Sequence, residues 1–194
     1  MMKDKNFAGN SESAIDFLGK KWNYECMGCA ISNGDIKIPG GIIYEGKHTL
    51  LGADPIIPIP GFLIVNVKRH VNSFSQLDKE ERYEIVNVIS YAEKALKELH
   101  ITEEVTLVQE ERSKHLHVWI FPNYKWMTEK FGKGIKYLRD ISEYAKKNVN
   151  ENNIKEILNT IEKIRKYFEE QAFGDTYQKL WYELNFFVAK YNKK

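Results

Sequence analysis

The spacing of apolar residues divides the chain into a strand-rich first part and a helical remainder. From Asp78 onward, Ile85, Val88, Ile89, Ala92, Leu96 and Leu99 recur three or four residues apart and predict one long amphipathic helix. Asp78-Lys79-Glu80-Glu81 has capping-box spacing, an acceptor followed three residues later by Glu, and marks the start of that helix, which ends near His100. Around it the apolar residues run in short blocks. Phe62 to Lys68 shows little polar alternation and predicts a strand covered on both faces. Ile42-Ile43-Tyr44-Glu45, following the Pro39-Gly40-Gly41 turn, and Thr49-Leu50-Leu51 read as two more. Val105 to Gln109 and His115 to Phe121 are joined by the charged link Glu110-Glu111-Arg112-Ser113-Lys114 and predict an antiparallel hairpin. The segment from Asp54 to Gly61 is a rigid loop, because each of its prolines lacks a backbone donor.

After Pro122 the periodicity becomes helical. Lys133 to Lys147 and Asn153 to Glu170 predict two helices, the second with Ile154, Ile157, Leu158, Ile161 and Ile164 on one face. The aromatic-rich stretch from Tyr177 to Tyr191 predicts a packed terminal helix. Near the other end, residues 10–19 read as a short helix ending at Gly19 and capped by Ser11 or Ser13. The expected architecture is α+β: an antiparallel sheet with the Asp78–Leu99 helix packed on it. It divides into a helical segment 1–20, a central domain 21–127 and a helical extension 128–194 packed on that domain.

Composition narrows the functional classes. Of 194 residues, 43% are hydrophobic, enough for a packed core and too many for a disordered chain. The net charge of +2 argues against a strongly basic nucleic-acid binder. The balance is −3 over residues 1–123 and +5 over residues 124–194, a bias that solvated helix faces account for. No apolar run approaches the ~20 residues that a bilayer requires, and the first residues are polar, so the expected location is the cytoplasm.

Candidate chemistry lies in the cysteines and histidines. Cys26 and Cys29 have metal-clip spacing and supply half of a tetrahedral Cys2His2 zinc site. A redox pair is the weaker reading, because no βαβ pattern places the motif at a helix start. Five histidines are available: His48, His70, His100, His115 and His117. His70 closes one strand and His115 opens another, so both sit where the backbone changes direction. On a strand, His115, His117, Trp119 and Phe121 share one face, while Leu116, Val118 and Ile120 point to the core. A half-exposed imidazole pair on a sheet surface is an equal reading of this face. His48 reads as solvated and His100 as favoured by the helix C-terminus. Trp126 is placed either to wall a pocket or to pack.

From Cys26 to Pro122 the chain resembles the histidine triad (HIT) superfamily, which includes the galactose-1-phosphate uridylyltransferases. The landmarks occur in family order: Cys26-x-x-Cys29, then Gly41-Ile42-Ile43-Tyr44-Glu45, then Asp54 seven residues before Gly61. The strand ending in Lys68-Arg69-His70, a long helix and the His115-x-His117 strand follow. The resemblance implies an α+β HIT-like fold and a nucleotide hydrolase or nucleotidyl transferase acting on a phosphoanhydride or phosphoramidate. A uridylyltransferase-type activity and a zinc-stabilised nucleotide-binding module without turnover are its alternatives. It implies His117 as the nucleophile that forms a nucleotidyl-histidine, Asp54 as the acceptor for ribose hydroxyls, and Cys26, Cys29, His70 and His115 as ligands of a structural zinc ion. The implied partner is a nucleotide or dinucleotide, and members are often homodimers. Two departures stand out. Trp119 occupies the position of the third histidine, where it would contact substrate. The family's Gly-Gln-Ser/Thr phosphate loop is replaced by the 110–114 link, whose Arg112 and Ser113 are the candidates for phosphate contact.

Overall fold

A computed structural model describes residues 12–170. The expected helix at Tyr177 to Tyr191 lies outside the described residues. A five-stranded antiparallel sheet is ordered β3-β4-β5-β7-β6, from β3 (Ile42–Glu45), β4 (Thr49–Ala53), β5 (Leu63–Val67), β6 (Val105–Val108) and β7 (His117–Pro122). β6 and β7 pair antiparallel, as the link between them requires. The long helix α2 (Lys79–Glu98) carries the complete capping box: the Asp78 carboxylate accepts from the Glu81 N–H, and Glu81 accepts from the Asp78 N–H, each at 2.9 Å. Its apolar face lies on one side of the sheet, against Leu63, Val65, Leu116, Val118 and Ile120.

The helical segment predicted over 1–20 is corrected where the structure describes it. Residues 12–24 form a hairpin of β1 (Glu12–Ile15) and β2 (Lys21–Tyr24), with Glu12 opposite Tyr24 and Ile15 opposite Lys21. The cause is local. Asp16 Oδ1 accepts from the N–H groups of Leu18 and Lys20, both at 2.9 Å, which closes a turn in place of a helix. Gly19 supplies the positive φ that the turn needs. The expected boundary at 20/21 therefore falls inside one hairpin. The boundary at 127/128 falls inside α3 (Lys125–Phe131), which is followed by α4 (Leu138–Asn148) and α5 (Glu151–Glu170).

The α5 helix is part of the main core. Ile157, Ile161, Ile164 and Phe168 are buried with α2 and the sheet, Tyr167 donates to Glu98 at 2.6 Å, and the Arg165 guanidinium donates to the carbonyls of Ile42 and Gly40. A second cluster on the other side gathers Phe62, Phe121, Met127, Leu138 and Ile141. His48, expected to be solvated, is instead largely covered: its ring approaches Glu80 at 3.3 Å, and its backbone N–H donates to Glu84. His100 is exposed beyond the end of α2 at φ 52°. No helix among the described residues is long and apolar enough to cross a membrane.

Candidate active site

The structure brings Cys26, Cys29, His70 and His115 together, with all four ligand atoms within 4.8 Å of one another. Cys26 Sγ lies 3.4 Å from His115 Nδ1. Cys29 Sγ lies 3.1 Å from His70 Nδ1 and 3.5 Å from His115 Nδ1. A tetrahedral zinc ion with Zn–S near 2.3 Å and Zn–N near 2.0 Å has ligand–ligand edges of about 3.3–3.8 Å; both His115 contacts fall in that range, the Cys29–His70 contact is shorter, and two thiols with two imidazoles are a donor set that zinc takes. The tautomer fits as well. His115 Nε2 donates to the Val67 carbonyl at 2.5 Å, which leaves the lone pair of Nδ1 facing the sulfurs. Burial holds the His115 imidazole below its ordinary pKa, favouring the neutral form that a ligand needs. Burial first, and then the neighbouring Cys26 sulfur, push the Cys29 thiol up to about 11; a bound cation is what ionises such a pair.

Local sequence explains the cluster. Cys26 is the N-cap residue of the short helix α1 (Met27–Ser32) and Cys29 lies in its first turn, so the motif does begin a helix, contrary to expectation. Gly28 is required by space: a Cβ there would lie 2.4 Å from His115 Cγ.

His117 stands two residues beyond His115. Its Nδ1 donates to the His115 carbonyl at 3.0 Å, so the lone pair is on Nε2. The two histidines share the wall of a cavity of about 370 Å³. Met27, Ile31, Ile38 and Gly52 give it apolar walls, and Arg112, Ser113 and Lys114 stand at its charged side. Arg112 forms a two-point contact with Glu110, at 2.7 Å for each bond. Lys114 ties the link to the β1–β2 hairpin by pairing with Glu12.

Two sequence-predicted residues sit differently from the rest. Ala53 and Pro55 line the cavity on either side of Asp54, but the Asp54 carboxylate turns into the loop. Its Oδ1 accepts from the N–H groups of Ile56 and Ile57 at 2.8 and 2.7 Å. Burial pushes its pKa up to about 6, against those two bonds, which pull it down. Trp119 belongs to the second apolar cluster and packs edge-on against Phe62, with ring centroids 5.2 Å apart and planes at 83°. Trp126 packs with Phe131 and Tyr144 beside a different cavity.

Asn66 was missed. It lies opposite His117 in the β5–β7 ladder, is 7% exposed, and lines the cavity. Its amide donates to the Gly28 carbonyl at 3.2 Å and to Ser32 Oγ at 2.9 Å, pinning α1 to the strand beside the nucleophile candidate. The available signal was a lone polar residue inside Leu63-Ile64-Val65-Asn66-Val67, because a buried amide needs partners.

This arrangement is the histidine triad fold: a five-stranded antiparallel sheet, one long helix on a face, and an H-x-H strand beside a cavity. Among solved structures, the chain is similar to a hypothetical histidine triad nucleotide-binding protein from Sulfolobus tokodaii strain7, at 17% identity and a TM-score of 0.53, covering 74% of this chain and 94% of that one. A HIT family protein from Bacillus anthracis is 23% identical, with a TM-score of 0.48 and coverage of 70% and 94%. A Zn-bound histidine triad family protein from Mycobacterium smegmatis is 17% identical, with a TM-score of 0.48 and coverage of 73% and 96%. At these identities the likeness is one of fold. No protein-family model matches the chain, and no curated protein matches it.

Proposed function

We propose that the chain is a nucleotide hydrolase or nucleotidyl transferase that works through a nucleotidyl-histidine on His117. The observation that carries this reading is the tautomer of His117. In the neutral ring, with Nδ1–H held by a backbone carbonyl, the lone pair is on Nε2, and the ring lines a cavity with Arg112 and Lys114 at its charged side. Nε2 attacks the α-phosphorus, and the bond to the leaving group breaks with its electron pair. The positive charge that develops on the ring is stabilised at Nδ1–H by the His115 carbonyl. Water then attacks the same phosphorus, the P–N bond breaks, and Nε2 recovers its lone pair while the water proton passes to solvent. Hydrolysis is the preferred outcome because water is the default acceptor. Transfer to a phosphorylated acceptor, as in the uridylyltransferases, uses the same intermediate.

The apolar walls at Met27, Ile31 and Gly52 suit a nucleobase, and the cavity volume suits a nucleotide-sized ligand. Asp54, whose Oδ1 holds the loop, is proposed as the acceptor for the ribose hydroxyls. Arg112 and Ser113 are proposed for phosphate contact. Cys26, Cys29, His70 and His115 are proposed to hold zinc, which when bound supplies a structural cross-link between α1, the end of β5 and the start of β7. The free thiols suit a reducing compartment, and the cytoplasm is the proposed setting.

A zinc-stabilised binding module without turnover is the second reading, favoured by the packing of Trp119 against Phe62 where the family has a histidine. His117→Asn decides between them, since it keeps size and polarity but removes the nucleophile. Zinc content and nucleotide binding are expected to persist while turnover of nucleoside triphosphates and dinucleoside polyphosphates disappears. Binding by the wild type with no turnover would establish the module instead.

A further inference from the structure

We infer that a second cavity, walled by α3, α4 and the first turns of α5, binds an organic cation of the linear alkylpolyamine class. The cavity measures about 790 Å³ and opens beside the Pro58–Pro60 stretch of the Asp54–Gly61 loop. It shares no lining residue with the cavity beside His117, so its occupancy is independent of the chemistry there.

The lining is electron-rich. Tyr124, Trp126 and Tyr144 contribute three aromatic side chains, the last two with ring centroids 5.8 Å apart and planes at 44°. Aromatic ring faces carry negative potential and attract ammonium groups, tryptophan most strongly. Glu129 on α3 and Glu156 on α5 add two carboxylates. Among the described residues, no ion pair or hydrogen bond holds the Glu156 carboxylate. Its charge acts on the cavity wall: burial first, and then Glu156, push the Tyr124 phenol above its ordinary value. The Tyr124 hydroxyl is committed elsewhere, donating to the Pro60 carbonyl at 2.8 Å. Glu129 is met only by Lys125 at 3.5 Å, a contact between two exposed side chains that an incoming cation replaces at little cost.

The chain already places one alkylammonium in this cavity. Lys130 Nζ lies 3.9 Å from the centroid of the Tyr144 ring. Lys130 makes no ion pair among the described residues, although two carboxylates line the same cavity. Its exposed, flexible side chain rests instead on the ring face, which marks that face as a position where an ammonium group is held. Lys130 is therefore an internal competitor that a better cation displaces.

Charge decides the class of ligand. Of the three charged side chains on the lining, two are carboxylates and the single ammonium is turned to a ring, so an anion meets net repulsion and a cation net attraction. The ring faces and carboxylates come from three different helices. Only several ammonium groups carried on one flexible chain meet them together.

Calorimetric titration of the purified full chain with spermidine, without nucleotide and at physiological salt, tests this assignment. One spermidine per chain is expected, bound about fivefold or more tightly than tetramethylammonium, since each further ammonium adds an ion pair. Tyr144→Leu and Glu156→Gln are each expected to weaken binding about threefold or more, the size of one cation–π or ion-pair contact. Glu156 is exposed, so Glu156→Gln leaves the packing intact and carries the test should Tyr144→Leu fail to fold. Lys130→Gln is expected to tighten binding, because the competitor is gone. No saturable binding below about 10 mM, binding that Glu156→Gln leaves unchanged, or weaker binding by Lys130→Gln overturns the inference. Equal affinity for tetramethylammonium overturns the assignment to a polyamine.

Discussion

Gly28→Ala tests how tightly the metal cluster is built. A Cβ at position 28 would lie 2.4 Å from Cγ, 2.6 Å from Cδ2 and 2.9 Å from Cβ of His115. Carbon atoms in contact sit about 3.5–4.0 Å apart, so the worst overlap is about 1 Å. His115 has little room to yield, because it is 4% exposed and its Nε2 is held by Val67. What gives is therefore α1, which carries Cys29 and is capped by Cys26, and its movement pulls the two sulfurs away from His115 Nδ1. Overpacking of this size costs about 1–3 kcal/mol without metal. Displacing one ligand is expected to lower zinc affinity by about 10–100-fold, the range seen when the support of a ligand is lost. Chelator competition measures the second quantity and chemical denaturation of the metal-free protein the first. A Gly28→Ala protein that holds zinc as tightly as the wild type, with unchanged stability, would refute the close-packed cluster.

Other positions give independent checks. The Asp54 pKa is raised from 3.8 to about 6 by burial, so its contribution to stability is fully present below pH ~4 and is lost as pH rises through ~6; the gap corresponds to up to about 3 kcal/mol. Asp54→Asn keeps an oxygen for the Ile56 and Ile57 N–H groups without ionising, so its stability advantage should grow from near zero at pH ~4 toward neutrality; a difference independent of pH in denaturation curves would contradict this. Ile161→Ala should cost about 2–5 kcal/mol in chemical denaturation, because Ile161 is buried with α2 and the sheet; a loss below about 1 kcal/mol would mean that α5 is an appendage. Trp119→His removes the edge-on contact with Phe62 and leaves a void, so activity toward both activated and unactivated nucleotides should fall; a rise toward poor leaving groups would show that the imidazole reaches the substrate.

Much of the fold was legible because local and global signals agree. The Asp78–Glu81 capping box marked the start of α2 to the residue, and the alternation from Leu116 to Ile120 separated the main-core side chains Leu116, Val118 and Ile120 from His117 and Trp119 on the other face. The Cys–His cluster was legible through the order of the HIT landmarks, since cysteine spacing alone left the partner histidines open. The β1–β2 hairpin was not, because its turn depends on the Asp16 carboxylate bonding two N–H groups of its own loop, which no apolar period encodes. The periodicity of α5 was plain, but its burial against α2 and β3 is a tertiary fact. Asn66 escaped notice because its role lies across the ladder, opposite His117, and not in neighbouring sequence.

The measurement closest to the central claim is the mass of the protein caught during turnover. Wild-type protein is mixed with a radiolabelled nucleotide substrate, quenched within one turnover and digested, and the labelled peptide is identified. The expected result is one acid-labile nucleotidyl group per chain on the peptide spanning His115 to Pro122, localised to His117 and absent from the His117→Asn protein. Turnover without any covalent nucleotide, or an adduct that persists in His117→Asn, would contradict the account.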